Sequence, residues 1–179
     1  RRVTLAERLT IAVMTGEESG DLYGAHLIRS IRRRNGDISF WGIGGNYLEE
    51  AGMELIQHYR DISVVGFSEV VRMIPRIWRI LNRTERMVRD RRPDLVILID
   101  NPGFNIRLGA RIKGSGTGIL YYISPQVWAW HEKRKHKIAQ IADHLAVILP
   151  FEPEVYSGTG LPVTYVGHPL MDIVRSDSA

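Results

Sequence analysis

The run Asp94-Leu95-Val96-Ile97-Leu98-Ile99 constrains the fold of this chain more than any other segment. Its apolar residues are continuous rather than alternating, which predicts a parallel strand over Asp94–Ile99 that is covered on both faces. Parallel neighbours need crossover connections, so helices should separate the strands. The rest of the chain supplies that rhythm. Leu9–Met14 reads as a buried strand ended by Thr15-Gly16. Ser19 is a helix cap with Asp21 in the first turn, and the helix runs to about Arg34, stopping at Asn35-Gly36. Its apolar face is Leu22, Ala25, Leu27, Ile28 and Ile31. A strand Ile38–Ile43 ends in Gly44-Gly45, and short elements follow at Glu54–Ile56 and Ile62–Val65. Beyond the central strand come a helix Phe104–Lys113, a strand Ile119–Ile123, a helix Lys133–Ala142, and strands His144–Leu149 and Val163–Val166. The expected fold class is α/β, a Rossmann-like open parallel sheet with helices on both faces.

Composition narrows the function classes. At 179 residues the chain is one domain with a proper core. No stretch reaches the ~18 apolar residues of a membrane span. The absence of cysteine excludes disulfide scaffolds, thiolate metal sites and cysteine catalysis. Arg1–Thr10 has no apolar core of a secretory signal, and an opening Arg-Arg rather than Met reads as part of a longer chain. The net charge of +4 favours anionic partners without choosing among them.

In such sheets ligands bind beyond the carboxyl ends of the strands. The stretches 16–21, 42–46, 100–105, 124–130 and 167–168 all fall at such ends. Gly42-Ile43-Gly44-Gly45 follows the second strand and lacks the third glycine of a dinucleotide fingerprint, so a tight turn explains it better. No cofactor motif, P-loop or metal-ligand spacing is present. Asp100 is either a partly desolvated base for a substrate hydroxyl or an Asx cap ahead of Pro102. Glu17 and Glu18 are either catalytic or sugar-binding groups, or simple complements to a helix dipole. Trp128 and Trp130 either stack on a ligand or pack in the core, and His131–Lys137 is a basic run on a helix face or a phosphate attractor. From Val64 to Arg92 two stripes run at helical spacing. One holds Val70, Ile74, Ile77, Trp78 and Leu81; the other holds Arg72, Arg76, Arg79, Arg83 and Arg86. Pro75 should begin or kink that helix. The helix either covers the sheet or docks on an anionic membrane through Val70, Ile74, Ile77 and Trp78 with Arg72 and Arg76 at the rim.

Six motifs then appear in order: Gly16-Glu17-Glu18-Ser19-Gly20-Asp21, Gly42-Ile43-Gly44-Gly45, Ile99-Asp100-Asn101-Pro102-Gly103-Phe104-Asn105, Ser124-Pro125-Gln126-Val127-Trp128-Ala129-Trp130, Leu149-Pro150-Phe151-Glu152 and Gly167-His168-Pro169. Together they resemble the lipid-A-disaccharide synthase family, from about Thr10 to Asp172. One position departs, because Gly103 stands where the family often has a second Asp. The resemblance implies the N-terminal, acceptor-side half of a GT-B fold, spanning 1–179 as a single Rossmann-like domain without the nucleotide-sugar half. It implies a glycosyltransferase of lipid A biosynthesis without a cofactor. UDP-2,3-diacylglucosamine would donate to 2,3-diacylglucosamine 1-phosphate (lipid X), giving a β-1′,6 disaccharide and UDP by a single inverting displacement. Asp100 and Glu17 are the implied catalytic residues, and Ser19, Asn105, Trp128 and His168 the implied substrate-binding ones. The expected location is the cytoplasmic face of the inner membrane, peripherally bound, with no nucleic-acid partner and with a homodimer left open. A non-catalytic lipid-binding Rossmann module and a stand-alone nucleotide-binding protein are the competing classes.

Overall fold

The structure, a computed structural model, describes residues 9–63, 67–125 and 132–171. In chain order its elements are β1 (Leu9–Met14), α1 (Glu18–Arg34), β2 (Ile38–Gly44), α2 (Asn46–Glu50), β3 (Glu54–His58), a 3-10 turn (Tyr59–Asp61) and α3 (Phe67–Arg91). Then come β4 (Leu95–Ile99), α4 (Pro102–Ile112), β5 (Gly118–Tyr122), α5 (Glu132–Ile141), β6 (His144–Val147), α6 (Glu152–Val155) and β7 (Val163–Tyr165). The seven strands form one sheet in the order β3-β2-β1-β4-β5-β6-β7, and every pairing is parallel. The α/β expectation holds, with boundaries shifted by a few residues at most element ends.

The strand side chains alternate between two cores. Ala12, Met14, Val96 and Leu98 join Leu81, Phe104, Leu108 and Ile138 on the side of α3, α4 and α5. Ile11, Val13, Ile97 and Ile99 meet Ala25, Ile28 and Leu48 on the side of α1 and α2. A strand buried on both faces has no polar position to offer, which is why the central strand reads as one apolar run.

Three expectations need correction. Ser19 does not cap α1: Glu17 is the N-cap residue, without a side-chain cap bond, and Ser19 lies in the first turn. The turn after β1 is short, and Thr15 Oγ1 donates to the Glu17 carbonyl across it. Pro75 lies inside a continuous helix rather than at its start. It is exposed, and Ile80, Leu81 and Val88, buried beyond it, anchor α3 so that packing holds the helix past the missing donor. Ile62 and Ser63 follow the 3-10 turn and form no strand, while Val64 and Val65 lie outside the described residues.

Chain direction places α3. It returns from the β3 edge to β4, antiparallel to the strands, so its first half stands over the carboxyl ends of the sheet and its second half covers the sheet. Arg91 secures the far end, with two 2.8 Å bonds to the Glu54 carboxylate and its guanidinium 4.9 Å from the Trp41 ring centre. Among the described residues no helix is long and apolar enough to cross a membrane.

Candidate active site

The site grows from the ends of β1 and β4, the two neighbouring strands between which the sheet order reverses direction. The chain leaving β1 through Gly16 passes so close to the chain leaving β4 that a Cβ on Gly16 would stand 1.8 Å from Asn101 Nδ2. Glycine is the residue that permits this approach. Asp100 and Asn101 both take positive φ, 45° and 38°. Left-handed backbone costs most residues about 1–2 kcal/mol, and Asp and Asn tolerate it best. Two donors hold the bend. The Tyr121 hydroxyl donates to the Asp100 carbonyl at 2.6 Å, and Asn105 Nδ2 donates to it at 2.9 Å. Asn105 Nδ2 also reaches the carbonyls of Ile99 at 3.1 Å and Met14 at 3.4 Å, so one buried amide ties together the ends of both strands.

The bend presents the Asp100 carboxyl beside Glu17. Burial raises its pKa from 3.8 to about 6, the Glu17 charge and a hydrogen bond with Glu17 push the same way, and a bond from the Asn101 backbone N–H opposes them. Asp100 thus retains a proton more readily than a carboxylate does in water. Burial first, and the Asp100 charge second, hold the Tyr121 hydroxyl well above its ordinary range, so it remains a donor. Ser19 Oγ donates to the Glu17 carboxylate and orients it.

Both acids open onto a cavity of about 680 Å³. Gly16, Glu17, Asp100, Asn101 and Ser63 form its polar wall, and Ser63 Oγ donates to the Gly16 carbonyl. Ile62, Ile74, Ile77, Trp78, Leu81 and Phe104 form its apolar lining, and Pro102, Gly103 and Arg107 complete it. Trp78 is 47% exposed and Ile74 43%, both at the mouth. Arg111 steadies Trp78: its guanidinium lies 5.0 Å from the ring centre and is itself bonded to Asn82 Oδ1 at 2.6 Å and Glu85 at 3.1 Å.

The expected site residues fall in different places. Asp100 and Glu17 meet as expected of neighbours across the switch point. Ile74, Ile77 and Trp78 share their cavity, so the apolar stripe of α3 is part of the crevice. Asn105 is fully buried and occupied with backbone carbonyls, and Ser19 acts on Glu17. His168 packs edge-on against Tyr23, ring centres 6.1 Å apart, and its Nδ1 accepts from the Leu170 N–H, away from the cavity. Arg76 pairs with Asp61. The side chains of Val70 and Arg72, and all of Trp128, lie outside the described residues. Ser63, Tyr121 and Arg107 went unnoticed in the sequence, where nothing local distinguishes them.

The glycine turn after β2 is filled by the protein itself. The buried Asp21 carboxylate accepts from the N–H groups of Gly45 at 2.6 Å, Tyr47 at 3.0 Å and Leu48 at 3.3 Å. A Cβ on Gly45 would meet that carboxylate at 2.7 Å. The start of α2 therefore receives an internal anion where a dinucleotide site receives phosphate.

Comparison with known proteins agrees with this geometry. A profile of the lipid-A-disaccharide synthetase family matches residues 11–179. Lipid-A-disaccharide synthase of Trichlorobacter lovleyi is 46% identical over 165 residues, covering 92% of this chain and 43% of that protein. The protein of the same name from Syntrophotalea carbinolica is 46% identical over 163 residues, covering 90% and 42%. The chain thus spans less than half the length of these curated relatives. Among solved structures, UDP-GlcNAc 2-epimerase from Neisseria meningitidis bound to UDP-GlcNAc aligns with a TM-score of 0.66 at 9% identity, over 95% of this chain and 50% of that one. The UDP-GlcNAc 2-epimerase of Methanocaldococcus jannaschii aligns at 0.62 and 14% identity, over 94% and 48%. At such identities these likenesses show the fold alone, and they agree with the GT-B expectation. With the family profile matching nearly the whole length and the curated relatives nearly half identical, the chain belongs to the lipid-A-disaccharide synthetase family.

Proposed function

We propose that this chain is the acceptor-side half of a glycosyltransferase that joins UDP-2,3-diacylglucosamine to 2,3-diacylglucosamine 1-phosphate, with the nucleotide-sugar half outside this chain. One observation carries the reading. Asp100, with a pKa near 6, stands beside Glu17 in a cavity that also has an extensive apolar lining. A base with such a pKa is mostly ionised at neutral pH yet retains a real affinity for a proton. Asp100 accepts the proton of the acceptor 6-hydroxyl as that oxygen attacks C1 of the donor. The new C–O bond forms from one face as the bond to UDP breaks on the other, so an α-linked donor gives a β-linked product. Glu17 keeps Asp100 basic and offers an acceptor to a neighbouring sugar hydroxyl. Ile62, Ile77, Leu81 and Phe104 form the apolar surface that an acyl chain requires.

The full-length protein is expected to form disaccharide and UDP from these two substrates, and the 179-residue chain alone to form none. Absence of disaccharide with the full-length protein overturns the reading, and turnover by this chain at the full-length rate overturns the division of labour.

Substrates with several acyl chains reside in a bilayer, so the mouth of the cavity must reach the cytoplasmic surface of the inner membrane. Ile74 and Trp78 at that mouth make the contact, and Arg79 beside them adds about 1 kcal/mol near anionic lipid. The chain is expected to sediment with phosphatidylglycerol vesicles at low salt, less so at high salt. Ile74→Ser with Trp78→Ser should weaken binding several-fold while the thermal melt persists. No sedimentation at low salt returns both residues to the cavity wall alone.

A further inference from the structure

The cavity has a third chemical feature, besides its carboxyl pair and its apolar wall. Among the described residues lining it, Arg107 is the one cation. Its side chain is exposed and no carboxylate among the described residues pairs with it; the bond it makes is to the Gly103 carbonyl, one turn back on α4. The neighbouring arginine of the same helix, Arg111, is by contrast committed to Glu85 and Asn82.

We propose that Arg107 binds the phosphomonoester of the acceptor. This rests on the function proposed above and adds a specificity-determining residue to it. The two substrates carry the same diacylglucosamine, so this half of the protein must tell them apart by the group on C1. A guanidinium offers a phosphomonoester two parallel N–H donors and a full positive charge. Arg107 and Asp100 lie at either end of the first turns of α4, with the bend at 100–101 beginning the helix and Arg107 about one turn, ~5.4 Å, beyond Gly103. An acceptor held by its phosphate at Arg107 therefore directs the remainder of its ring toward the carboxyl pair. A neutral or diester-linked C1 group lacks that anchor.

Two measurements test this. In the full-length protein, Arg107→Ala is expected to raise KM for the phosphorylated acceptor by about 10- to 100-fold, the worth of a hydrogen bond to a charged group, while kcat and KM for the UDP-sugar stay within about threefold. Arg107→Lys should fall between, since it keeps the charge and loses the fork. Separately, the 179-residue chain should bind N-acetylglucosamine 1-phosphate at least about tenfold more tightly than N-acetylglucosamine in an NMR titration, and Arg107→Ala should abolish that difference. Turnover with an acceptor KM unmoved by Arg107→Ala overturns the proposal and leaves the proposed function standing. If the full-length protein forms no disaccharide, the function fails, and the titration alone decides the anion subsite. Equal binding of the two sugars then overturns it.

Discussion

Asp100→Asn is expected to lower turnover of the full-length protein by about 10²- to 10⁴-fold and to make the fold more stable. The loss follows from removing the proton acceptor while keeping shape, which is the usual cost of losing a general base. Asn tolerates the left-handed backbone at this position as well as Asp does, so the bend survives. The gain in stability follows from linkage. The Asp100 pKa is about 6 in the folded chain against 3.8 for the unperturbed group, so the folded state binds the extra proton between those values. Stability is therefore full below pH 3.8 and declines as pH rises through about 6. Above that, the ionised and partly desolvated carboxylate costs the fold up to about 3 kcal/mol. Asparagine carries no such charge and should recover about 1–3 kcal/mol at pH 8 and almost nothing at pH 4. Urea melts of both forms at the two pH values measure this. The acid limb of kcat/KM for the native protein should break near 6 with unit slope. Unchanged turnover in Asp100→Asn reduces Asp100 to the cap of a strand end, and equal stability at both pH values denies the desolvation.

Asn105→Leu is expected to be the most damaging single change in the second shell of the site. Asn105 is wholly buried, and its Nδ2 serves the carbonyls of Met14, Ile99 and Asp100. Its Oδ1 has no partner among the described residues, so the loss falls on the donor side. Leucine of similar size leaves buried carbonyls without that donor, a cost of about 2–3 kcal/mol. For a chain of this length that is a fall in Tm of roughly 4–12 °C. The same change releases the Asp100 carbonyl from one of its two side-chain donors. A positioning role for Asn105 predicts that the acid limb of the pH profile moves toward the ordinary carboxylate range as the bend loosens and water enters. A stability loss with an unmoved limb assigns Asn105 to strand-end packing only.

The strands and their order of appearance were legible because burial on two faces leaves a local mark. Ile97 and Ile99 point into one core and Val96 and Leu98 into the other, so no position in the run is polar. The carboxyl-end loops were legible for a related reason: a parallel sheet brings them to one rim wherever they lie in the chain. Asp100 stands directly after an apolar run, and Glu17 lies in the loop that leads from the first strand into its helix. Local pattern failed where two chemically equal explanations depend on a distant partner. Ser19 is a good cap by composition, but the short β1–α1 turn makes Glu17 the boundary residue. Asp21 looks like a complement to its own helix, whereas its carboxylate serves the N–H groups of α2. Asn105 sits in the 99–105 motif and reads as a ligand residue, yet its amide nitrogen is occupied by backbone carbonyls.

The sequence by itself determined the fold class, the two-sided burial of β4, the strand-end position of Asp100 and Glu17, and the opposed faces of α3. Each is a property of residues close in the chain, set by strand and helix periods and by which side chains water will not accept. Tertiary structure alone decided that Asp100 and Glu17 touch, that Asp100 holds its proton to about pH 6, and that Ile74, Ile77 and Trp78 face the same cavity as those acids. These facts depend on the crossover that carries α3 from the sheet edge to the switch point. A stripe along a helix records which residues avoid water, but what that stripe faces is set by where the chain has returned to the sheet.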